Sequence, residues 1–302
     1  MKKEFYYPSR DGVTQIHAVE WIPEGEVNAV LQICHGMAEY IERYHEFAEF
    51  LTEHGIYVVG HDHLGHGKSV VSQEKLGFFH ETDGNNYVIA DIHQLRTRAE
   101  KKYPGVPYFI MGHSMGSFLV RQYLGLYSSG LSGAVIMGTG NQPSIMVYAG
   151  KLVCRVIAKV KGWDYRSQFV HNLADGAYEK KLGTAWLSCN EDNVRKYEND
   201  PLCGFLFTVN AYYHMFSGIV KMNRQEAEGK AVKTLPLFFV AGKEDPVGAY
   251  GKGVERVYKK YKEHGYRDVE MKLYPGDRHE ILNEEDRKLV FQDILTWLEN
   301  RK

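Results

Sequence analysis

Apolar residues along this chain recur in two rhythms. Short runs rich in β-branched and aromatic residues alternate with stretches whose apolar positions fall three and four apart. Residues 29–34 and 56–59 are near-continuous apolar runs, the pattern of strands buried on both faces. Between them, Tyr44, Phe47, Ala48, Phe50 and Leu51 recur at helical spacing, and Val88, Ile92, Leu95 and Ala99 mark a second helix that ends near Pro104. Runs at 108–111, 133–137, 237–240 and 269–274 continue the strands. A last helix starts near Glu284 and carries Leu289, Ile294, Trp297 and Leu298. Residues 14–21 alternate polar and apolar, as an edge hairpin strand does. Strands alternating with helices predict an α/β fold, its mostly parallel sheet covered on both faces.

The stretch from about Asn141 to Val232 breaks the alternation. It lacks clear strands and holds helical patches at 145–160 and 204–220. The expected organisation is a core over 1–140 and 233–302, with a helical cap inserted at 141–232. Such an insertion belongs over the carboxyl edge of the sheet, where ligands bind in open α/β folds. A chain of 302 residues suits one large domain of this kind.

Charge excludes some partners. Lys and Arg number 37 against 38 Asp and Glu, interspersed along the chain, so no nucleic-acid partner is expected. The segment Met1–Pro8 has no apolar core of a signal peptide. No apolar stretch approaches a membrane span. Cys34, Cys154, Cys189 and Cys203 show no Cys-x-x-Cys spacing, which reads as reduced thiols in a cytoplasmic protein. The 21 tyrosines and 14 phenylalanines suit a chain that handles an apolar ligand.

One motif carries chemistry. Gly112-His113-Ser114-Met115-Gly116 follows the strand run at 108–111 and precedes an apolar helix at 117–124. A strand that ends in Gly-x-Ser-x-Gly and turns at once into a helix exposes its serine on a tight bend. A serine hydroxyl needs a base to take its proton. His279, on the loop after the strand at 269–274, is in place for that task. The carboxylate that orients the imidazole should follow an intermediate strand, and Asp245, just before Pro246, does so. Glu244 and Asp277 are its rivals. The oxyanion needs two backbone donors. The Met115 N–H is one; the other is expected from Met37 in the loop His35-Gly36-Met37-Ala38-Glu39, with Gly36 letting the backbone turn.

His61-Asp62-His63-Leu64-Gly65-His66-Gly67 invites comparison with a metal site. A dinuclear hydrolase run places an aspartate just before its last histidine, where this chain has Gly65. Asp62, Gly65, Gly67 and Ser69 read instead as a turn-rich loop beneath the site. No metal and no cofactor are expected.

Together these residues resemble the α/β-hydrolase superfamily, and within it the monoacylglycerol lipase and lysophospholipase branch of S33-type hydrolases. The marks are His35-Gly36-Met37-Ala38-Glu39 with Arg43-Tyr44, then Asp62-His63-Leu64-Gly65-His66-Gly67-Lys68-Ser69, then the serine motif. The resemblance implies an eight-stranded α/β-hydrolase fold, a helical cap, and an apolar acyl tunnel between cap and core. It also implies that Glu39 and Arg43 organise a polar end for an alcohol such as glycerol. Tyr40 stands where many members have histidine, and Ser117 where many have glycine. Gly36 and His113 are further candidates for substrate contact. In the cap, Phe205, Tyr213 and their apolar neighbours form a dense patch that reads either as cap core or as an acyl-binding wall.

The expected function is a serine carboxylic-ester hydrolase acting on monoacylglycerol, lysophospholipid or similar small acyl esters. The cap is expected to contact membrane or lipid aggregates transiently; nothing in the pattern speaks to oligomeric state. Two other readings keep the same frame. A prolyl-type aminopeptidase would need an acidic pair for the substrate amine, with Glu191, Asp192, Glu198 and Asp200 as candidates. A ligand sensor would bind tightly and turn over slowly.

Overall fold

The computed structural model describes residues 1–174 and 176–302. Eight strands form one sheet: β1 (Lys2–Pro8), β2 (Gln15–Trp21), β3 (Ala29–Cys34), β4 (Ile56–His61), β5 (Tyr108–His113), β6 (Gly133–Met137), β7 (Leu237–Gly242) and β8 (Val269–Tyr274). Their spatial order is β1-β2-β4-β3-β5-β6-β7-β8. The pairs β1/β2 and β2/β4 are antiparallel, and every other pair is parallel. A mostly parallel sheet of this kind is what the alternating pattern predicts, and its eight strands are what the family resemblance implies.

The helices are α1 (His45–Thr52), α2 (Gly84–Lys102), α3 (Met115–Tyr127), α4 (Ser144–Lys161), α5 (Gln168–Ala174), α6 (Gly176–Leu182), α7 (Glu191–Asn199), α8 (Val209–Ala227), α9 (Lys252–Glu263) and α10 (Arg287–Glu299). Two apolar cores lie on opposite faces of the sheet. Alternate strand residues feed them: Val30, Ile110, Ile136 and Phe239 join one core with α2, α3 and α9. Leu31, Phe109, Val135 and Val240 join the other with α1 and α10. With both faces covered, β3 to β7 are buried at every residue, hence their near-continuous apolar runs.

The structure adds an element and moves some boundaries. One edge strand is β1, which the pattern does not announce, so β2 is an inner member of its hairpin. Only Tyr7 of β1 is buried, and a strand with two lysines and little apolar burial is how an exposed edge avoids mispairing. The helix expected at 204–220 runs at α8, where the Thr208 hydroxyl accepts the Ala211 N–H at 3.2 Å and so caps the first turn. The last helix begins at Arg287, because Glu284 is otherwise occupied. Its carboxylate accepts the N–H groups of Cys189, Asn190 and Arg278 and the Ser188 hydroxyl.

Between β6 and β7 the chain carries α4 to α8, with no sheet strand among the described residues. Within this stretch, α8 packs against α4 and reaches down to α2 and α3 of the core. Among the described residues no helix is long and apolar enough to cross a membrane. All four cysteines are free thiols, and Cys189 alone is exposed.

Candidate active site

The two glycines of the serine motif are fixed by close packing. A Cβ on Gly112 would lie 2.2 Å from the Gly116 carbonyl oxygen, and one on Gly116 would lie 2.0 Å from that of Cys34. The strand and helix therefore meet at a separation only glycine permits. Ser114 sits between them with φ 53° and ψ −121°, a conformation that costs a non-glycine residue free energy and must be held by its surroundings. The Ser114 N–H donates to the Met137 carbonyl at 3.0 Å, and the Ser117 hydroxyl donates to the Ser114 carbonyl at 2.6 Å. Ser117 thus contributes a hydrogen bond at a position where glycine could not.

His279 and Asp245 come from the loops after β8 and β7. The His279 Nδ1 lies 3.0 Å from Asp245 Oδ2, and both side chains are buried. The acceptor carboxylate places the ring proton on Nδ1, leaving the Nε2 lone pair for another partner. That Nε2 is buried and makes no hydrogen bond, to Ser114 or to any other group. His279 and Ser114 line the same cavity. Of the rival carboxylates, Glu244 is exposed. Asp277 is buried and faces Asp286 and Glu284; burial first, then these neighbours, lift its carboxyl to about 7. Trp186, whose ring centroid lies 5.0 Å from that of His279, covers the imidazole. No local pattern around Trp186 signals this role, since it sits in a short 3₁₀ turn remote in sequence.

Met115 opens α3, where the first N–H groups of a helix have no intrahelical acceptor. Gly36 and Met37 line the same cavity as Met115. The loop is held by Glu39, whose Oε1 accepts the Gly36 N–H at 2.5 Å and the Tyr44 hydroxyl at 2.9 Å. A Cβ on Gly36 would meet that same carboxylate at 2.6 Å. Glu39 also lies 3.1 Å from His113 Nδ1 and accepts Arg43 Nη1 at 2.9 Å. Burial opposes its charge, yet His113 and Arg43 hold the carboxyl well below the ordinary range. His113 is in turn pushed up: burial works against the cation, while Glu39 and the His279 carbonyl at 3.2 Å favour it.

Arg43 does not line the cavity. It stands behind Glu39, donating to both oxygens of Glu280 at 2.6 and 2.7 Å. Because Glu280 follows His279, this buried pair ties the Gly36–Glu39 loop to the histidine loop. Asn193 of α7 joins through a 2.6 Å bond to Glu280.

Beneath the loop lie His35, His61, His63 and His66, all buried. His35 Nδ1–H donates to the Gly36 carbonyl at 2.8 Å, and its Nε2 accepts the His63 N–H at 2.9 Å. Burial lowers all four; His61 and His66 fall to about 3. Among the described residues no three His, Cys, Asp or Glu side chains converge to hold a metal ion. Asp62 serves the turn: it accepts the Ile41 and Lys68 N–H groups and pairs with His17. A Cβ on Gly67 would come within 2.2 Å of its Oδ2.

The cavity over Ser114 measures about 810 Å³, within the range of about 300–1,000 Å³ usual for small-molecule sites. Phe118, Val147, Leu206, Met215, Phe216 and Ile219 supply much of its apolar wall, and Phe205 lies among them. Tyr213 does not. It is turned away on α8, its ring 5.1 Å from that of Trp163 and its hydroxyl accepting from Arg155. The cavity face of α8 runs through Tyr212, Met215, Phe216 and Ile219, and one residue's step around a helix carries Tyr213 off it. Of the four acidic candidates for an amine site, Glu198 alone lines the cavity. Asp200 accepts from the Tyr40 hydroxyl at 2.7 Å, and Glu191 and Asp192 pair with Arg195 at the surface.

Residues 25–286 match the family model described as serine aminopeptidase, S33. A monoacylglycerol lipase of Mycolicibacterium smegmatis is 29% identical over 98% of this chain and 97% of its own. The human monoglyceride lipase is 27% identical over 93% of this chain and 86% of its own. Among solved structures, a thermostable carboxyl esterase from Bacillus coagulans in complex with glycerol superposes with a TM-score of 0.91. It is 27% identical, covering 99% of this chain and 98% of that one.

Proposed function

The chain belongs to the S33 serine aminopeptidase family of α/β-hydrolases, in its monoacylglycerol-lipase-like branch, and is a carboxylic-ester hydrolase; from this we propose that it cleaves monoacyl lipids and similar small acyl esters with Ser114 as nucleophile. Monoacylglycerol and lysophospholipid are the substrate classes in view. The observation that carries the reading is the convergence on one cavity of the strained Ser114 and of His279, whose ring is already oriented by Asp245.

The His279 Nε2 takes the proton as Ser114 Oγ attacks the acyl carbonyl carbon. The carbonyl oxygen becomes an oxyanion and accepts from the Met37 and Met115 N–H groups, a contact worth about 3 kcal/mol per donor. Collapse breaks the ester C–O bond, and the imidazolium returns its proton to the departing alkoxide, leaving an acyl-enzyme and a free alcohol. Water repeats the sequence with His279 as base, releasing the fatty acid and restoring Ser114. Asp245 stabilises the imidazolium throughout. The chemistry calls on no cofactor.

Residues 141–232 serve as the cap. Its aromatic and aliphatic wall takes the acyl chain, and Gly36, Glu39 and His113 form the polar side where the alcohol leaves. On the outside of α4, Ile145, Leu152, Val156 and Val160 are exposed, beside Arg155, Lys159 and Lys161. An apolar stripe with basic flanks supports transient contact with lipid aggregates. Replacing Ser114 with alanine should abolish hydrolysis of p-nitrophenyl esters with the fold retained by circular dichroism. A profile against acyl length, with monoacylglycerols beside lysophospholipids and aminoacyl-naphthylamides, tests the substrate class. Preference for the naphthylamides would overturn it.

A further inference from the structure

Arg121 lies two turns along α3 from Ser114 and is buried, with 2% exposure. Its Nε and Nη2 grip both oxygens of Glu226 at 2.8 and 3.1 Å. Its Nη1 donates to Thr139 Oγ1 and to the Gly140 carbonyl, each at 3.0 Å. Glu226 also accepts Lys260 Nζ and the Tyr261 hydroxyl at 2.8 Å. Desolvating such a pair costs as much as its attraction returns, and an apolar replacement of equal volume is often at least as stable. Stability alone therefore gives little reason for a guanidinium here. Its geometry does, because the fork reaches a bend that touches the acid–base pair.

That bend, residues 138–140, leads out of β6. Gly138 has φ +58°, and a Cβ there would lie 3.1 Å from His279 Cε1. A Cβ on Gly140 would lie 2.7 Å from the Val247 carbonyl oxygen, and one on Gly248 would lie 3.4 Å from the Thr139 carbonyl oxygen and 3.6 Å from Asp245 Oδ2. The bend is thus seated against the imidazole on one side and the Asp245 turn on the other. It is also where the chain departs for the inserted helices, while Glu226 is where it returns.

We infer that Arg121 is a positioning residue: its fork fixes the 138–140 bend, and through the bend the placement of His279 and Asp245 relative to Ser114. This rests on the assignment of those three residues as the catalytic set. A planar fork is needed because one group must hold a carboxylate and two further acceptors at fixed angles. Lysine has the charge but not the fork.

The test compares Arg121→Lys, Thr139→Val and Tyr261→Phe in p-nitrophenyl butyrate hydrolysis, with Tm measured for each. Arg121→Lys keeps a cation opposite Glu226 and releases the bend. It should fold, lose about 10-fold or more in kcat, keep KM within about two-fold, and shift the pH midpoint of kcat/KM. Thr139→Val, which leaves the buried charges untouched, should give a smaller loss in kcat in the same direction. Tyr261→Phe removes one donor to Glu226 and none to the bend; it should lower Tm and leave kcat unchanged. Wild-type kcat and pH profile in both Arg121→Lys and Thr139→Val would overturn the inference. Should Arg121→Lys fail to fold, Thr139→Val decides. Ser114→Ala is run alongside: turnover surviving there removes the catalytic assignment itself, whereas an inactive Ser114→Ala beside wild-type-like bend variants removes only the role given to Arg121.

Discussion

Gly116 lies against Cys34 so closely that a Cβ would stand 2.0 Å from the Cys34 carbonyl oxygen. The contact joins the first turn of α3 to the end of β3, and so joins Ser114 to the loop that begins at His35. Gly116→Ala should therefore push α3 off the sheet. The expected cost is about 3 kcal/mol or more in urea denaturation, the upper range for forced overpacking, with loss of ester hydrolysis in whatever folds.

The oxyanion contact proposed for Met37 would be made by its backbone. Met37→Ala should leave kcat within a few-fold of wild type, because the N–H survives. Removal of a side-chain donor of the same kind would cost about 10²–10³-fold. A loss of that size in Met37→Ala, read from p-nitrophenyl butyrate kinetics, would show that the side chain matters and the assignment is incomplete.

Arg43 balances two buried carboxylates, Glu39 and Glu280. Arg43→Met removes the cation and leaves both anions in place. Breaking one side of a buried pair costs about 3–5 kcal/mol, so Tm should fall sharply. Double substitution with Glu280→Gln should recover part of the loss.

The buried histidines give a pH dependence of definite sign. His35, His61, His63 and His66 are lowered in the folded protein, His61 and His66 to about 3. Unfolding lets each take up a proton near pH 6.5, so the unfolded state binds more protons between that value and about 3. Stability should then fall as pH drops below about 6.5, by about 1.4 kcal/mol per pH unit for each fully titrating histidine. His17, His113 and Asp277, the last lifted to about 7, are raised and act the other way, their contribution fading as pH rises through their folded values. Urea midpoints between pH 7.5 and 5 should show a net decline, and a flat or rising trend would contradict it.

What the sequence discloses follows from how far apart the interacting residues are. Gly112, Ser114 and Gly116 are legible because a local turn dictates their types. The inner strands are legible because burial on both faces leaves near-continuous apolar runs. His279 and Asp245 could be named from chain order and strand position. Tyr213 reads from sequence as either cap core or acyl wall because its apolar neighbourhood is dense on every side, and only the helix phase separates it from Tyr212. The strand β1 escapes notice because an edge needs little apolar surface. Trp186 over His279, and Arg121 with Glu226, join residues roughly a hundred positions apart with no periodic pattern to announce them.

His279 is the group proposed to make Ser114 reactive. A fluorophosphonate probe followed by peptide mass spectrometry reads that reactivity at the residue itself. One adduct is expected on the peptide carrying Ser114, none in Ser114→Ala, and labelling slowed by about 10³-fold or more in His279→Ala. An adduct on another residue, or labelling of Ser114 at an undiminished rate without His279, would contradict it.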